Sequence, residues 1–166
     1  MRLAVYPGSF DPVTNGHIDI LEKTSRIFDK IIVSVVHNVT KHALFTLDER
    51  VDLIKESTKH LDNVEVECFN GLLANYIKEK KACAIIRGLR TVSDFEYEAG
   101  MANMNKILMP EIDTIFVMAD TKYIYLSSSG VKEAALLGGD VGLMVPAIVK
   151  AGLELKLAGI LQGRDG

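Results

Sequence analysis

Residues 31–36 read Ile-Ile-Val-Ser-Val-Val, an almost unbroken run of β-branched side chains. A strand with one wet face alternates apolar and polar residues. A run without alternation suits a strand buried on both faces, as in a parallel sheet covered by helices. Residues 2–6 form a second run of this kind, closed by Pro7 and Gly8, and residues 64–68, 82–87 and 114–118 are further strand candidates. Between them lie segments of helical period: 16–28, with Ile18, Ile20, Leu21 and Ile27, and 47–61, with Leu47, Val51, Ile54 and Leu61. Residues 71–80, 93–108, 129–137 and 147–161 complete the helices, the last one introduced by Pro146. Strands and helices in alternation predict an α/β domain: a five-stranded parallel sheet with right-handed crossovers.

At 166 residues and 48% apolar, the chain is read as one domain, residues 1–166, able to bury a core without disulfides or a structural metal. Its two cysteines, Cys68 and Cys83, form no C-x-x-C pair and are expected in the core. The first apolar run breaks at Pro7, too short for a signal peptide or a membrane span, so a cytoplasmic protein with no membrane partner is expected. The net charge of −3 and the lack of a Lys/Arg run argue against wrapping nucleic acid. Residues 162–166 are expected to fray.

In a parallel sheet ligands bind beyond the carboxyl ends of the strands, and four loops there carry chemistry. After the first strand comes Tyr6-Pro7-Gly8-Ser9-Phe10-Asp11-Pro12-Val13-Thr14-Asn15-Gly16-His17. Its glycines allow close approach, Ser9 offers a hydroxyl, Thr14 or Asn15 can cap a helix whose free N–H groups attract phosphate, and His17 follows one turn in. The plainer reading is a structural turn built of ordinary turn residues. After the second strand, Lys41 is a candidate phosphate ligand or simply a solvated lysine, while His37 and His42 read as loop histidines.

Arg87-Gly88-Leu89-Arg90 sets two guanidiniums about a glycine, suited to bidentate phosphate contacts. Alternatively they pair with Asp94, Glu96 or Glu98, although a salt bridge requires only one arginine. Finally, Leu126-Ser127-Ser128-Ser129 can cap a helix and hold a phosphate at once, with Lys122 and Lys132 nearby.

Together, GSFDPVTNGH, RGLR followed by DFEYE, and SSS followed by Lys132 resemble the bacterial phosphopantetheine adenylyltransferase family of the nucleotidyltransferase superfamily, over essentially the full chain. The resemblance implies a Rossmann-like, doubly wound fold with helices on both faces. It also implies adenylyl transfer from ATP to 4′-phosphopantetheine, giving dephospho-coenzyme A and pyrophosphate, with Mg²⁺ as cofactor and a homohexamer as assembly. Carried over position by position, His17, Lys41, Arg90 and Ser128 are catalytic. Ser9, Phe10, His17, Gly88, Leu89, Arg90, Glu98, Tyr123, Ile124, Tyr125, Leu126, Ser127, Ser128 and Ser129 bind ATP, and Ser9, Lys41, Leu73 and Arg87 meet the phosphopantetheine. No metal ligand is assigned. Ser9 stands where the family often has Thr, Leu126 where it often has Ile, and the stretch 120–123 is less typical. Helix 93–108 has Met101, Met104, Ile107 and Leu108 on more than one side, consistent with self-association or with a well-buried core helix. Two other readings stay open: transfer to another phosphorylated acceptor, such as nicotinamide mononucleotide, and ATP binding without turnover.

Overall fold

The computed structural model describes residues 1–36 and 43–162, the side chains of 160–162 excepted. Five parallel strands, β1 (Leu3–Gly8), β2 (Lys30–Val36), β3 (Val64–Phe69), β4 (Ala84–Leu89) and β5 (Asp113–Met118), lie in the order β3-β2-β1-β4-β5. The crossovers carry α1 (Asn15–Ser25), α2 (Leu47–Thr58), α3 (Leu73–Lys80) and α4 (Val92–Leu108); α5 (Ser128–Leu136) and α6 (Ala147–Gln162) follow β5. The predicted α/β class and the five strands are all present.

Alternation along the buried strands decides which helix packs where. Ala4, Tyr6, Ile31, Val33, Val35, Ala84 and Ile86 face one core with Ile20 and Leu21 of α1, Ile54 of α2, Val131 of α5 and Leu153 of α6. Leu3, Val5, Ile32 and Ile85 face the other, with Ala74, Tyr76 and Ile77 of α3 and Met109 just past α4. Both faces are therefore covered, in a Rossmann-like, doubly wound arrangement. The central pair β1 and β4 marks the point where the chain reverses its direction of winding, and a crevice opens there.

Several expectations need correction. Cys68 and Cys83 are exposed, not core, since Cys68 lies on edge strand β3 and Cys83 precedes β4. Strand β4 begins at Ala84 and runs to Leu89, so Arg87-Gly88-Leu89 is paired with Phe116–Met118 rather than being a turn after the strand. Helices α1 and α2 stop at Ser25 and Thr58, with Thr24 Oγ1 and Thr58 Oγ1 donating back to Ile20 O and Ile54 O in their last turns. Residue 162 belongs to α6, while 163–166 lie outside the described residues. Helix α4 is not a well-buried core helix: none of its residues is buried, and Met104 and Ile107 are 58% and 77% exposed.

Candidate active site

A cavity of about 550 Å³ sits at the carboxyl ends of β1 and β4. It is lined by the loop after β1, the start of α1, the end of β4, the first turns of α4 and the start of α5.

The loop after β1 owes its shape to one aromatic side chain. Phe10 adopts a left-handed φ of 47°, which non-glycine residues rarely occupy. That conformation turns its ring inward, edge-on to His17 at 5.1 Å and to Tyr6 at 5.4 Å between centroids. A Cβ on Gly8 would come within 2.9 Å of the Phe10 ring, so the glycine there makes room for Phe10. Gly88 plays a similar part, since a Cβ would sit 3.0 Å from Ile20. Both glycines were expected to let a ligand approach; their geometry first lets the protein pack.

Thr14, not Asn15, caps α1 in a reciprocal box with His17. The Thr14 N–H donates to His17 Nδ1 at 3.0 Å, which assigns the ring's own proton to Nε2. Burial, reinforced by Arg90 and Arg87, pushes the His17 pKa down to about 4. His17 is consequently a neutral imidazole at physiological pH, with Nε2–H as its free donor.

On the β4 side both arginines are ion-paired. Arg87 grips Glu98 bidentately, with Nε 2.6 Å from Oε2, and donates to Pro7 O at 2.9 Å. Arg90 pairs with Asp94 at 2.9 Å and also donates to Leu126 O. The alternative reading, in which the arginines pair with carboxylates of the next helix, is met by Glu98 and Asp94, and both guanidiniums still line the cavity. Carboxylates of α4 hold both guanidiniums at the cavity wall.

On the opposite side Asp11, 7% exposed, accepts from Lys132 Nζ at 2.7 Å and from the N–H groups of Leu44 and Phe45 at 3.0 and 2.9 Å. Burial would raise its pKa, but Lys132 and the N–H groups of Phe45 and Leu44 outweigh that and keep it below the usual carboxylate range. Ser127 caps α5 through Gly130 N, and the Ser128 hydroxyl donates to Pro12 O at 2.8 Å. The N-terminus of α5 therefore faces the cavity beside that of α1, two sources of partial positive charge.

Of the expected site residues, Ser9, Phe10, His17, Arg87, Gly88, Arg90, Glu98, Leu126, Ser127, Ser128 and Ser129 meet in this cavity. Leu89, Leu73, Tyr123, Ile124 and Tyr125 do not line it. Leu89 is buried at the end of β4, and Leu73 packs at the margin of the second core. Tyr123 ends a 3-10 turn, Thr121–Tyr123, and Lys122 leans over its ring rather than into the cavity. Lys41 lies outside the described residues, as do His37 and His42. Asp11, Arg50 and Asp94 line the cavity although sequence reasoning gave them no role in it. Asp94 was visible only as a salt-bridge partner, and Arg50, inside the amphipathic segment that forms α2, was not singled out.

A cytidylyltransferase-like family model matches residues 5–134. A phosphopantetheine adenylyltransferase from Syntrophomonas wolfei is 74% identical over 95% of this chain and 98% of its own. The chain belongs to the phosphopantetheine adenylyltransferase family. A second member, from Desulfosudis oleivorans, is 57% identical over 95% of this chain and 94% of its own. Among solved structures, a Vibrio parahaemolyticus protein assigned as a nicotinate-nucleotide adenylyltransferase superposes with a TM-score of 0.71 at 17% identity, covering 95% of each chain. That likeness shows a shared fold.

Proposed function

We propose that this chain transfers the adenylyl group of ATP to 4′-phosphopantetheine, releasing pyrophosphate and forming dephospho-coenzyme A, the penultimate step of coenzyme A synthesis. The observation that carries this is near full-length identity of 74% to a phosphopantetheine adenylyltransferase, together with a cavity whose donors suit phosphoryl chemistry. The attacking phosphate is already an anion, so no general base is required. The reaction needs positioning and donors for charge that grows on the α-phosphate oxygens. His17 fits that need because it is neutral and keeps a free Nε2–H: it donates to the α-phosphate without competing for the nucleophile's charge.

In this reading Ser9, Phe10 and the start of α5 hold the nucleotide, Gly88, Arg90 and Glu98 border it, and Arg87 meets the acceptor. Ser128, whose hydroxyl already donates to Pro12 O, offers a ligand its oxygen lone pair or its backbone N–H. Proposed roles for Lys41, Leu73, Leu89, Tyr123, Ile124 and Tyr125 rest on the family resemblance.

Mg²⁺ is proposed to arrive with the ATP triphosphate. Among the described residues no group of three or more His, Cys, Asp or Glu could cage a metal, and the cavity carboxylates Asp11, Asp94 and Glu98 each face a cation. The exposed apolar residues of α4 support self-association, with the homohexamer taken from the resemblance. A cytoplasmic location is proposed too; no described helix is long and apolar enough to cross a membrane.

Pyrophosphate release from ATP, measured with 4′-phosphopantetheine, with nicotinamide mononucleotide and with no acceptor, tests the reading. Turnover with the first alone is expected. Turnover only with the mononucleotide would overturn it.

A further inference from the structure

Four cationic side chains line the described cavity: Arg50, Arg87, Arg90 and Lys132. Three carboxylates line it as well, and each is already matched: Glu98 with Arg87, Asp94 with Arg90, Asp11 with Lys132. Arg50 is left over. Among the described residues it has no carboxylate partner. Its hydrogen bonds go to neutral carbonyls, from Nη1 to Ser9 O at 2.9 Å and from Nε to Thr46 O at 3.3 Å.

Arg50 is also 4% exposed. A guanidinium is permanently charged and carries five N–H donors, so a buried one without a counter-charge is costly unless something else supplies it. No fully buried side-chain nitrogen in the described residues lacks a hydrogen-bond partner. The Arg50 donors not spent on carbonyls therefore retain access to the cavity that the residue lines.

We infer that Arg50 binds a phosphate oxyanion of the substrates, and that it is the residue whose charge makes the described cavity attractive to anions. The inference rests on the adenylyltransferase reading for the identity of the ligands. Anchored through Nη1 to Ser9 O, the guanidinium would hold the loop after β1 and the phosphate together, so that ligand binding and loop position become one event. The phosphate could belong to the ATP polyphosphate or to the phosphorylated acceptor; both present the same oxyanion to the fork.

The test is calorimetric titration of the full chain and of its Arg50→Gln and Arg50→Lys variants with four ligands: ATP, adenosine, 4′-phosphopantetheine and pantetheine. For Arg50→Gln, binding of at least one phosphorylated ligand should weaken roughly tenfold or more, with little change for its unphosphorylated counterpart. The arm that shows the selective loss identifies the phosphate. Arg50→Lys, which keeps the charge but not the fork, should recover part of the loss. Two results overturn the proposal: wild-type affinity for both phosphorylated ligands, or equal losses with and without the phosphate, which would mean that Arg50 merely braces the loop. Should Arg50→Gln fail to fold in a circular-dichroism melt, the lysine variant decides alone: unchanged phosphate affinity refutes a fork-type contact. Inorganic tripolyphosphate as a fifth ligand separates this outcome from failure of the proposed function, since it probes oxyanion binding without an acceptor.

Discussion

The two walls of the cavity are built on different physics. On the α1 side, Ile20 and Leu21 are 2% and 0% exposed and pack with Ile54, Val131 and Leu153 into the larger core. On the α4 side no helical residue is buried, and the helix meets the cavity through Glu98 on Arg87 and Asp94 on Arg90. Apolar packing fixes position with little regard for salt or pH. Ion pairs fix direction, but their strength depends on the surroundings. One wall therefore sets where the His17 imidazole stands, and the other holds paired guanidiniums at the cavity edge.

Breaking each wall should separate these roles. Leu21→Ala removes packing from the α1 wall and is expected to cost about 2–5 kcal/mol in urea unfolding. His17→Ala should leave the fold intact yet lower kcat by ~10²-fold or more in the pyrophosphate-release assay, since a transition-state donor is lost. Near-normal turnover would deny His17 that role. On the other wall, Glu98→Gln leaves Arg87 without its counter-charge and should cost about 1–3 kcal/mol, with an effect on KM that changes with added salt.

A subtler contrast appears on acidification. His17 has a folded pKa of about 4 against an ordinary value of 6.5, so the unfolded chain takes up its proton first as pH falls. Stability from this group is complete above about pH 6.5 and is lost as pH falls toward 4. The NMR resonance of the His17 ring should accordingly stay fixed down to about pH 5, and an inflection near 6.5 would contradict the buried, neutral assignment. The smallest effect is expected from Met104→Ser on the outer face of α4: within about 0.5 kcal/mol for the isolated chain, but a shift to smaller species in sedimentation if that face is an interface.

The α/β order, the strands and the loops that carry the site were legible because buried strands leave unbroken β-branched runs and because turn residues cluster at strand ends. His17 and the serines at the start of α5 were readable because they occupy helix starts, where local sequence has local meaning, and Ser9 because it directly follows β1. Asp11 and Arg50 were not. Each owes its role to partners far along the chain, Asp11 to Lys132 and to the backbone of Leu44 and Phe45, Arg50 to Ser9. Burial of the cysteines was misjudged because composition records how often a residue type is inside, not which edge strand it occupies. The pairing of the arginines stood only as the alternative reading, since sequence order does not show that α4 turns both Asp94 and Glu98 toward the same edge.

The loop after β1 is held mainly by late residues. Asn15 bonds to Leu143 O and Met144 O, Ser128 to Pro12 O, Lys132 to Asp11, and Arg87 to Pro7 O. On the ribosome, the first motif to emerge must therefore wait for the last third of the chain before it acquires its working shape. Nascent chains halted before α5 would carry the strands but a β1–α1 loop still missing its fastenings to Ser128, Lys132, Leu143 and Met144, so its final shape should appear late during synthesis.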